Sequence, residues 1–119
     1  MAERNITFGK LISTARVRRG LTLTECASGI YKKDKSAISV QYLSDLEKDR
    51  RNPPSEFILR QLSERLEIPI EVLYFYSETF PSGIDKSVSQ EQIIAAYHAF
   101  YEKLGQTGQS NGEPIIEAK

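Results

Sequence analysis

The 119-residue sequence predicts an all-α protein, with five short helices in one domain and an additional amphipathic helix near the C-terminus. Two observations predict this class. Apolar residues recur at spacings of three and four, as on one face of a helix, and no segment alternates as a strand does. Residues that begin and end helices, chiefly Ser, Thr, Gly and Pro, separate these segments. We predict a domain at residues 1–78, a linker at 79–88, the last helix at 89–104 and a flexible tail at 105–119.

The first two helices are predicted from apolar spacing and from their caps. The first helix spans residues 7–19. The second helix begins with a capping box, in which Thr22 is the N-cap and Glu25 is the residue three positions later that bonds back to it. The second helix is expected to end near residue 30. The inward-facing residues of the first helix are Phe8, Leu11, Ile12 and Ala15. The basic segment 31–37 (YKKDKSA) lacks periodicity and is predicted to be a loop.

A third helix is predicted to begin at Ser39, whose hydroxyl can cap the first turn, and Asn52-Pro53 prevents its continuation. Its inward residues are Val40, Leu43 and Leu46. Its outward residues are Gln41, Ser44, Asp45 and Lys48. Hydrogen-bonding side chains thus lie towards its N-terminal end, and the basic pair Arg50-Arg51 follows it. This is the chemistry needed to enter a DNA major groove and to hold the flanking phosphates.

The last three helices complete the chain. The fourth is predicted over residues 55–67, capped by Ser55, and the fifth over 70–76, after the helix breaker Pro69. Their expected core residues are Ile58, Leu59, Leu62, Leu66, Leu73 and Tyr76. The sixth begins at Ser89 with a second capping box. An apolar seam with coiled-coil spacing runs along it through Ile93, Tyr97, Phe100 and Leu104, broadened by Ile94 and Tyr101.

Charge is distributed unevenly, although the chain carries no net charge. Residues 1–53 hold 11 Lys and Arg against 6 Asp and Glu, whereas residues 54–119 hold 5 against 10. A basic N-terminal half is the electrostatic signature of a nucleic-acid partner.

The one cysteine, Cys26, cannot form an internal disulfide, which favours a reducing compartment. Because neither a membrane-length apolar run nor a signal-peptide core is present, a cytoplasmic location is predicted.

A catalytic or metal-binding arrangement is not apparent in the sequence. Cys26 occupies an apolar helical position, and a Cys26–His98 pair lacks a third group to orient it. One Cys and one His also lack partners at the spacing of a metal site. We therefore predict no enzymatic activity and no cofactor.

Several short motifs occur in a fixed order along the first half of the chain. They are Ile12 with Arg16, Gly20-Leu21-Thr22, Glu25 with Ala27, Ile38-Ser39, Tyr42-Leu43-Ser44, Leu46-Glu47, Arg51-Asn52-Pro53, and finally Leu62, Leu66, Ile68 and Leu73. In this order they resemble the Xre or lambda-repressor-like family of transcription regulators. The resemblance implies a five-helix DNA-binding domain with its helix-turn-helix at about residues 22–48.

The resemblance also implies that the helix beginning at Ser39 is the recognition helix. Side chains expected to face base edges are Val40, Gln41, Ser44 and Asp45. Side chains expected to contact phosphates are Thr22, Ser39, Tyr42, Arg50, Arg51 and Asn52, with Arg16 and Arg19 as further candidates. Gln41 is the strongest base reader, because a carboxamide can bond bidentately to adenine, and Val40 suits a thymine methyl.

Two departures from the family pattern affect this surface. Leu23 stands where the family often has Gln, so no polar contact is expected from that position. The turn between the second and third helices is longer than usual, and its lysines either extend the phosphate contact or fold away from the DNA. These lysines are Lys32, Lys33 and Lys35. Asp45 is also ambiguous, because it either accepts from cytosine or pairs with Arg50 or Lys48.

The sixth helix has to bury its apolar seam, either on its own domain or against the same helix of a second copy. The dimer is favoured, because one short recognition helix makes few base contacts. Two copies would read a pseudo-palindrome with half-sites about 34 Å apart. The predicted function is a homodimeric, sequence-specific regulator of transcription that represses by occupying double-stranded promoter DNA. The alternative is an antitoxin-like or adaptor protein whose C-terminal half binds a partner protein.

Overall fold

The computed structural model describes residues 6–106, which form two units that divide between Ser82 and Gly83. The first unit contains five helices: α1 Phe8–Arg18, α2 Leu23–Ala27, α3 Val40–Glu47, α4 Glu56–Leu66 and α5 Ile70–Ser77. The second unit contains α6 Gln90–Lys103. Within these residues, the predicted all-α class with five helices and one further helix is confirmed. Residues 107–119 of the predicted tail lie outside the described part of the chain.

Every helix of the first unit contributes to one hydrophobic core. In this unit α1 packs against α3, α4 and α5, while α2 packs against α3 and α4 packs against α5. The buried apolar residues are Phe8, Ile12, Ala15, Cys26, Ala27, Ile30, Ile38, Leu43, Leu46, Leu59, Leu62, Leu66, Ile68 and Leu73. Three residues predicted to face inward, Leu11, Ile58 and Tyr76, are only half-buried at its edge. Full burial of one Leu or Ile contributes about 1.5 to 3 kcal/mol to stability.

The caps predicted from sequence explain where most of these helices begin. Thr22 accepts a hydrogen bond from the Glu25 amide, and the Glu25 carboxylate accepts one from the Thr22 amide, so the predicted capping box is formed. The same reciprocal pair joins Ser89 and Gln92 at the start of α6. Ser55 occupies the N-cap position of α4, but its side chain makes no capping hydrogen bond, contrary to expectation.

Helix α2 is shorter than predicted, because it ends at Ala27 instead of near residue 30. The carbonyl of Ile30 accepts a hydrogen bond of 2.9 Å from the amide of Ile38. Ile30 therefore leaves the helix to pair with the chain that enters α3. Residues 31–37 between them were predicted to be an irregular loop. They form a tight turn closed by an isolated antiparallel bridge between Tyr31 and Ala37, which we call the hairpin.

The first unit extends into the segment predicted to be a linker. The Thr79 amide donates to the Tyr74 carbonyl at 3.0 Å, and the Ser82 hydroxyl donates to the Glu56 carboxylate at 2.9 Å. Tyr74 donates to the same carboxylate oxygen at 2.7 Å. These donors lower the pKa of Glu56, with the bond from Tyr74 as the largest cause. The chain therefore stays attached to the first unit as far as Ser82.

Candidate nucleic-acid interface

The outward face of α3 is exposed. The Ser39 hydroxyl accepts a hydrogen bond of 2.9 Å from the Tyr42 amide, so the predicted N-cap is present. Gln41 is exposed, Ser44 is partly exposed, and Val40 retains 39% of its accessible surface. The prediction that Val40 faces the core with Leu43 and Leu46 is therefore wrong. Val40 is the first residue of the helix and lies beyond the edge of the core.

Helix α3 ends at Glu47, so the basic pair Arg50-Arg51 follows the helix as predicted. Asp49 adopts a left-handed conformation with φ of +58°. Its amide donates a hydrogen bond to the Leu46 carbonyl, and the Arg50 amide donates one of 2.8 Å to the Asp45 carbonyl. These two bonds form a Schellman motif, which reverses the chain at the helix C-terminus. Arg50, Arg51 and Asn52 follow this reversal and are exposed beside the helix.

Arg51 lies against α3. Its guanidinium is 5.2 Å from the centroid of the Tyr42 ring, a cation–π distance, and its Nε is 3.9 Å from a carboxylate oxygen of Asp45. Burial raises the pKa of the Tyr42 phenol, and the charge of Arg51 opposes this shift. The arrangement places one exposed cation next to the outward face of the helix.

Asp45 contacts Gln41 and Arg51, not the cations Arg50 and Lys48 named as its possible partners. Its carboxylate accepts a hydrogen bond of 3.0 Å from Gln41 Nε2, one helical turn away, and lies near Arg51. Neither Arg50 nor Lys48, the two predicted partners, makes this contact. The left-handed turn at Asp49 redirects the chain, which brings Arg51 instead of Arg50 back to the helix.

Arg16 and Arg19, the two further candidates for phosphate contact, form ion pairs within the first unit. Arg16 donates from Nε and Nη2 to both carboxylate oxygens of Glu47, at 2.6 and 3.0 Å, and from Nη1 to the Leu21 carbonyl at 2.8 Å. The hydrogen bond to Glu47 raises the pKa of Arg16. Arg19 donates to the Glu67 carboxylate at 2.9 Å. Arg16 is thus largely covered by its ion pair, whereas Arg19 stays exposed beside Glu67.

The start of α1 is tied to the end of α3 as well. The Asp49 carboxylate accepts a hydrogen bond of 2.9 Å from the Gly9 amide and another from the Thr7 hydroxyl. A Cβ at Gly9 would lie 2.5 Å from the Glu47 carbonyl oxygen, so only glycine permits this approach. Together with the Arg16–Glu47 pair, these contacts hold the recognition-helix candidate against the rest of the unit.

The hairpin is held on α4, and Gln41 in the first turn of α3 stays exposed. The Gln61 side chain accepts from the Tyr31 amide and donates to the Tyr31 carbonyl, both at 2.8 Å. Lys33 Nζ lies 5.8 Å from the centroid of the Phe57 ring. Lys32 and Lys35 are exposed. Sequence reasoning missed Gln61 and Phe57, because neither carries a local signal for a contact 24 to 30 residues away.

Thr22 and Leu23 stand at the start of α2. The Thr22 hydroxyl is engaged in the capping box but the residue remains exposed, whereas Leu23 is half-buried against the core. Leu23 therefore contributes to packing.

The described residues carry no assembled metal site. Between residues 6 and 106, no group of three or more His, Cys, Asp or Glu side chains is placed to hold an ion. Cys26 is fully buried, and this burial raises the pKa of its thiol, which disfavours the nucleophilic thiolate. No helix in the described range is both long and apolar enough to span a bilayer.

Comparison with known proteins finds similarity to a solved structure of a SinR protein/SinI protein complex. The match has 22% sequence identity and a TM-score of 0.48, and it covers 84% of this chain and 100% of that chain. No protein-family model and no curated protein matches the sequence.

Proposed function

We propose that this chain is a sequence-specific regulator of the Xre or lambda-repressor-like helix-turn-helix type, which binds double-stranded DNA through α3. The observation that carries the proposal is the exposed polar face of α3, with a capped N-terminus at Ser39 and exposed Arg50 and Arg51 after its other end. An α-helix fits the major groove of B-DNA, where base edges are distinguishable, while cations and amides beside it hold the phosphates.

Each exposed side chain then has a role that follows from its chemistry. Gln41 bonds to adenine, Val40 contacts a thymine methyl, and Ser44 bonds to either kind of base edge. The residues proposed for phosphate contact are Thr22, Ser39, Tyr42, Arg50, Arg51 and Asn52. Of the hairpin lysines, Lys32 and Lys35 are retained as phosphate contacts, because the Lys33 ammonium is already placed over Phe57.

We also propose that the protein acts as a homodimer joined through α6. This helix has no buried residue, and its seam residues Ile93 and Leu104 are 43% and 46% exposed. The seam steps by four, three and four residues, as in helices that pack against a like helix. A two-fold dimer presents two copies of α3 to a pseudo-palindrome, which supplies the base contacts that one eight-residue helix lacks. Occupation of promoter DNA in this manner would repress transcription in the cytoplasm.

The first test is Arg51→Ala. We expect weaker binding to every duplex, with specific and random sequences affected alike and with a salt slope reduced by about 1, because a phosphate contact carries no sequence information. The measurement is affinity by fluorescence anisotropy at several salt concentrations. Arg18→Ala is the matched control, because it removes the same charge from an exposed position on α1. An unchanged slope for Arg51→Ala would remove this residue from the interface.

The second test is Gln41→Ala. We expect a loss of roughly 1 to 3 kcal/mol on the preferred duplex and almost none on a duplex with a different base pair at one position. Selection of bound duplexes from a random pool supplies the preferred sequence, and the position is the one at which a change of base pair abolishes the loss caused by Gln41→Ala. Equal losses on both duplexes would show that Gln41 does not read a base.

The alternative function, an adaptor or antitoxin-like protein, is distinguished by the same two measurements. The acidic composition of residues 54–119 and the exposed seam of α6 favour a protein partner. Binding to duplex DNA without a salt slope, and without loss in either variant, would support this alternative.

A further inference from the structure

We propose that Asp45 is a specificity-determining residue, which acts by fixing the orientation of the Gln41 carboxamide. This inference rests on the proposed function and assigns Asp45 a different role from that of a base-contacting residue. The supporting contact is the 3.0 Å hydrogen bond from Gln41 Nε2 to Asp45 Oδ1, between side chains four residues apart on the outward face of α3. Such pairs are neighbours on a helix surface.

A carboxamide alone is an ambiguous reader of bases. Its oxygen accepts, its nitrogen carries two donor hydrogens, and rotation of the terminal bond exchanges the two groups. A free Gln41 can therefore present an acceptor to one base and donors to another. An ionised carboxylate has only acceptor positions, so it faces the nitrogen and never the oxygen. Asp45 thus prevents the rotation that would exchange the oxygen and the nitrogen of the Gln41 carboxamide.

The fixed amide matches adenine better than guanine. One hydrogen of Nε2 is used by Asp45, which leaves one N–H and the carbonyl oxygen of Gln41 for the DNA. Adenine presents an N7 acceptor next to an N6 donor, whereas guanine presents two acceptors and no donor on that edge. Against guanine, the Gln41 oxygen and the nearby Asp45 carboxylate would both face acceptors.

Asp45 is itself held in place. Its side chain retains 16% of its accessible surface, and Arg51 Nε lies 3.9 Å from its second oxygen. Arg51 is in turn placed over the Tyr42 ring. The carboxylate is therefore largely covered, and its reach towards a base is limited. In this arrangement Asp45 orients the Gln41 carboxamide, and Gln41 makes the contact with the base.

The experiment measures base preference in the full-length protein. Four duplexes differ only at the base pair identified by Gln41→Ala, and their relative affinities are measured by competition. We expect Asp45→Asn to lower the preference for adenine over guanine roughly tenfold, because asparagine accepts either orientation of the amide. Asp34→Asn is the control, since it removes one charge from the hairpin while its side-chain oxygen still accepts from Ser36. This control should leave the preference unchanged.

A double variant distinguishes positioning from direct reading. If Asp45 acts through Gln41, Asp45→Asn has no effect on base preference in a Gln41→Ala background. An equal effect in both backgrounds, or a preference that Asp45→Asn leaves intact, would overturn the inference. Circular dichroism checks that each variant folds, and Asp45→Ala replaces Asp45→Asn if the latter does not. A wild-type protein without sequence preference would instead contradict the proposed function itself.

Discussion

Replacing Arg16 by alanine is expected to lower the free energy of unfolding by about 3 to 5 kcal/mol. Arg16 and Glu47 form a bidentate pair whose side chains are only 14% and 9% exposed. Removal of Arg16 leaves the Glu47 carboxylate partly buried without its two donors, and the Leu21 carbonyl also loses its bond to Nη1. The unsatisfied charge accounts for most of the loss, because a pair removed as a whole is much less costly.

Urea denaturation followed by circular dichroism measures this effect. Arg19→Ala is the matched control: its pair with Glu67 is exposed, at 41% and 67% of the two side chains, so its loss should change stability by no more than about 1 kcal/mol. The double variant Arg16→Met with Glu47→Leu should recover most of the stability, since it removes both charges. A loss for Arg16→Ala as small as that for Arg19→Ala would contradict the structural role of the pair.

The helices of this protein are predictable from sequence because the signals that define them are local. Capping residues such as Thr22, Ser39 and Ser89 act within one turn, and apolar spacing reports the buried face directly. The exceptions also have local reasons. Val40 has the spacing of a core residue but lies in the first turn of α3, where the core has ended.

The partners of charged side chains are not predictable in the same way. Arg16 and Glu47 are 31 residues apart, and nothing in either local sequence indicates that α1 and α3 bring them together. The family resemblance makes Arg16 a further candidate for phosphate contact, and the sequence does not predict its ion pair with Glu47. Asp45 has several cations near it in the sequence that could be its partner, namely Lys48, Arg50 and Arg51. The choice between them depends on the left-handed turn at Asp49, and an aspartate in that conformation carries weaker sequence evidence than a glycine.

The outward face of α3 shows how these two kinds of information combine. Sequence places Gln41 and Asp45 on one helix face, because their spacing of four residues requires it. The structure adds that they are bonded and that Arg51 stands beside them. Gln41 and Asp45, predicted as separate contacts, are thus bonded to each other, and a change at Asp45 is expected to alter the orientation of Gln41.

The largest effect on DNA binding is expected from loss of the proposed dimer. Ile93→Glu with Leu104→Glu places charges at both ends of the α6 seam, where each would meet apolar side chains of the partner helix. The variant should be a monomer, because buried like charges oppose association. It should still fold, since the core lies in the first unit and α6 has no buried residue. Glutamate is also a good helix former, so α6 itself should persist.

Sedimentation equilibrium measures the mass, and binding to a full pseudo-palindrome and to one half-site measures the consequence. Affinity for the full site should fall by roughly 100-fold or more, because the second half-site is no longer bound intramolecularly, while half-site affinity should stay the same. Ala95→Glu with Ala99→Glu is the control, since it adds the same two charges opposite the seam. If Ile93→Glu with Leu104→Glu remains dimeric, α6 does not join the two copies. If it is monomeric but keeps full-site affinity, one copy of α3 suffices to read the operator.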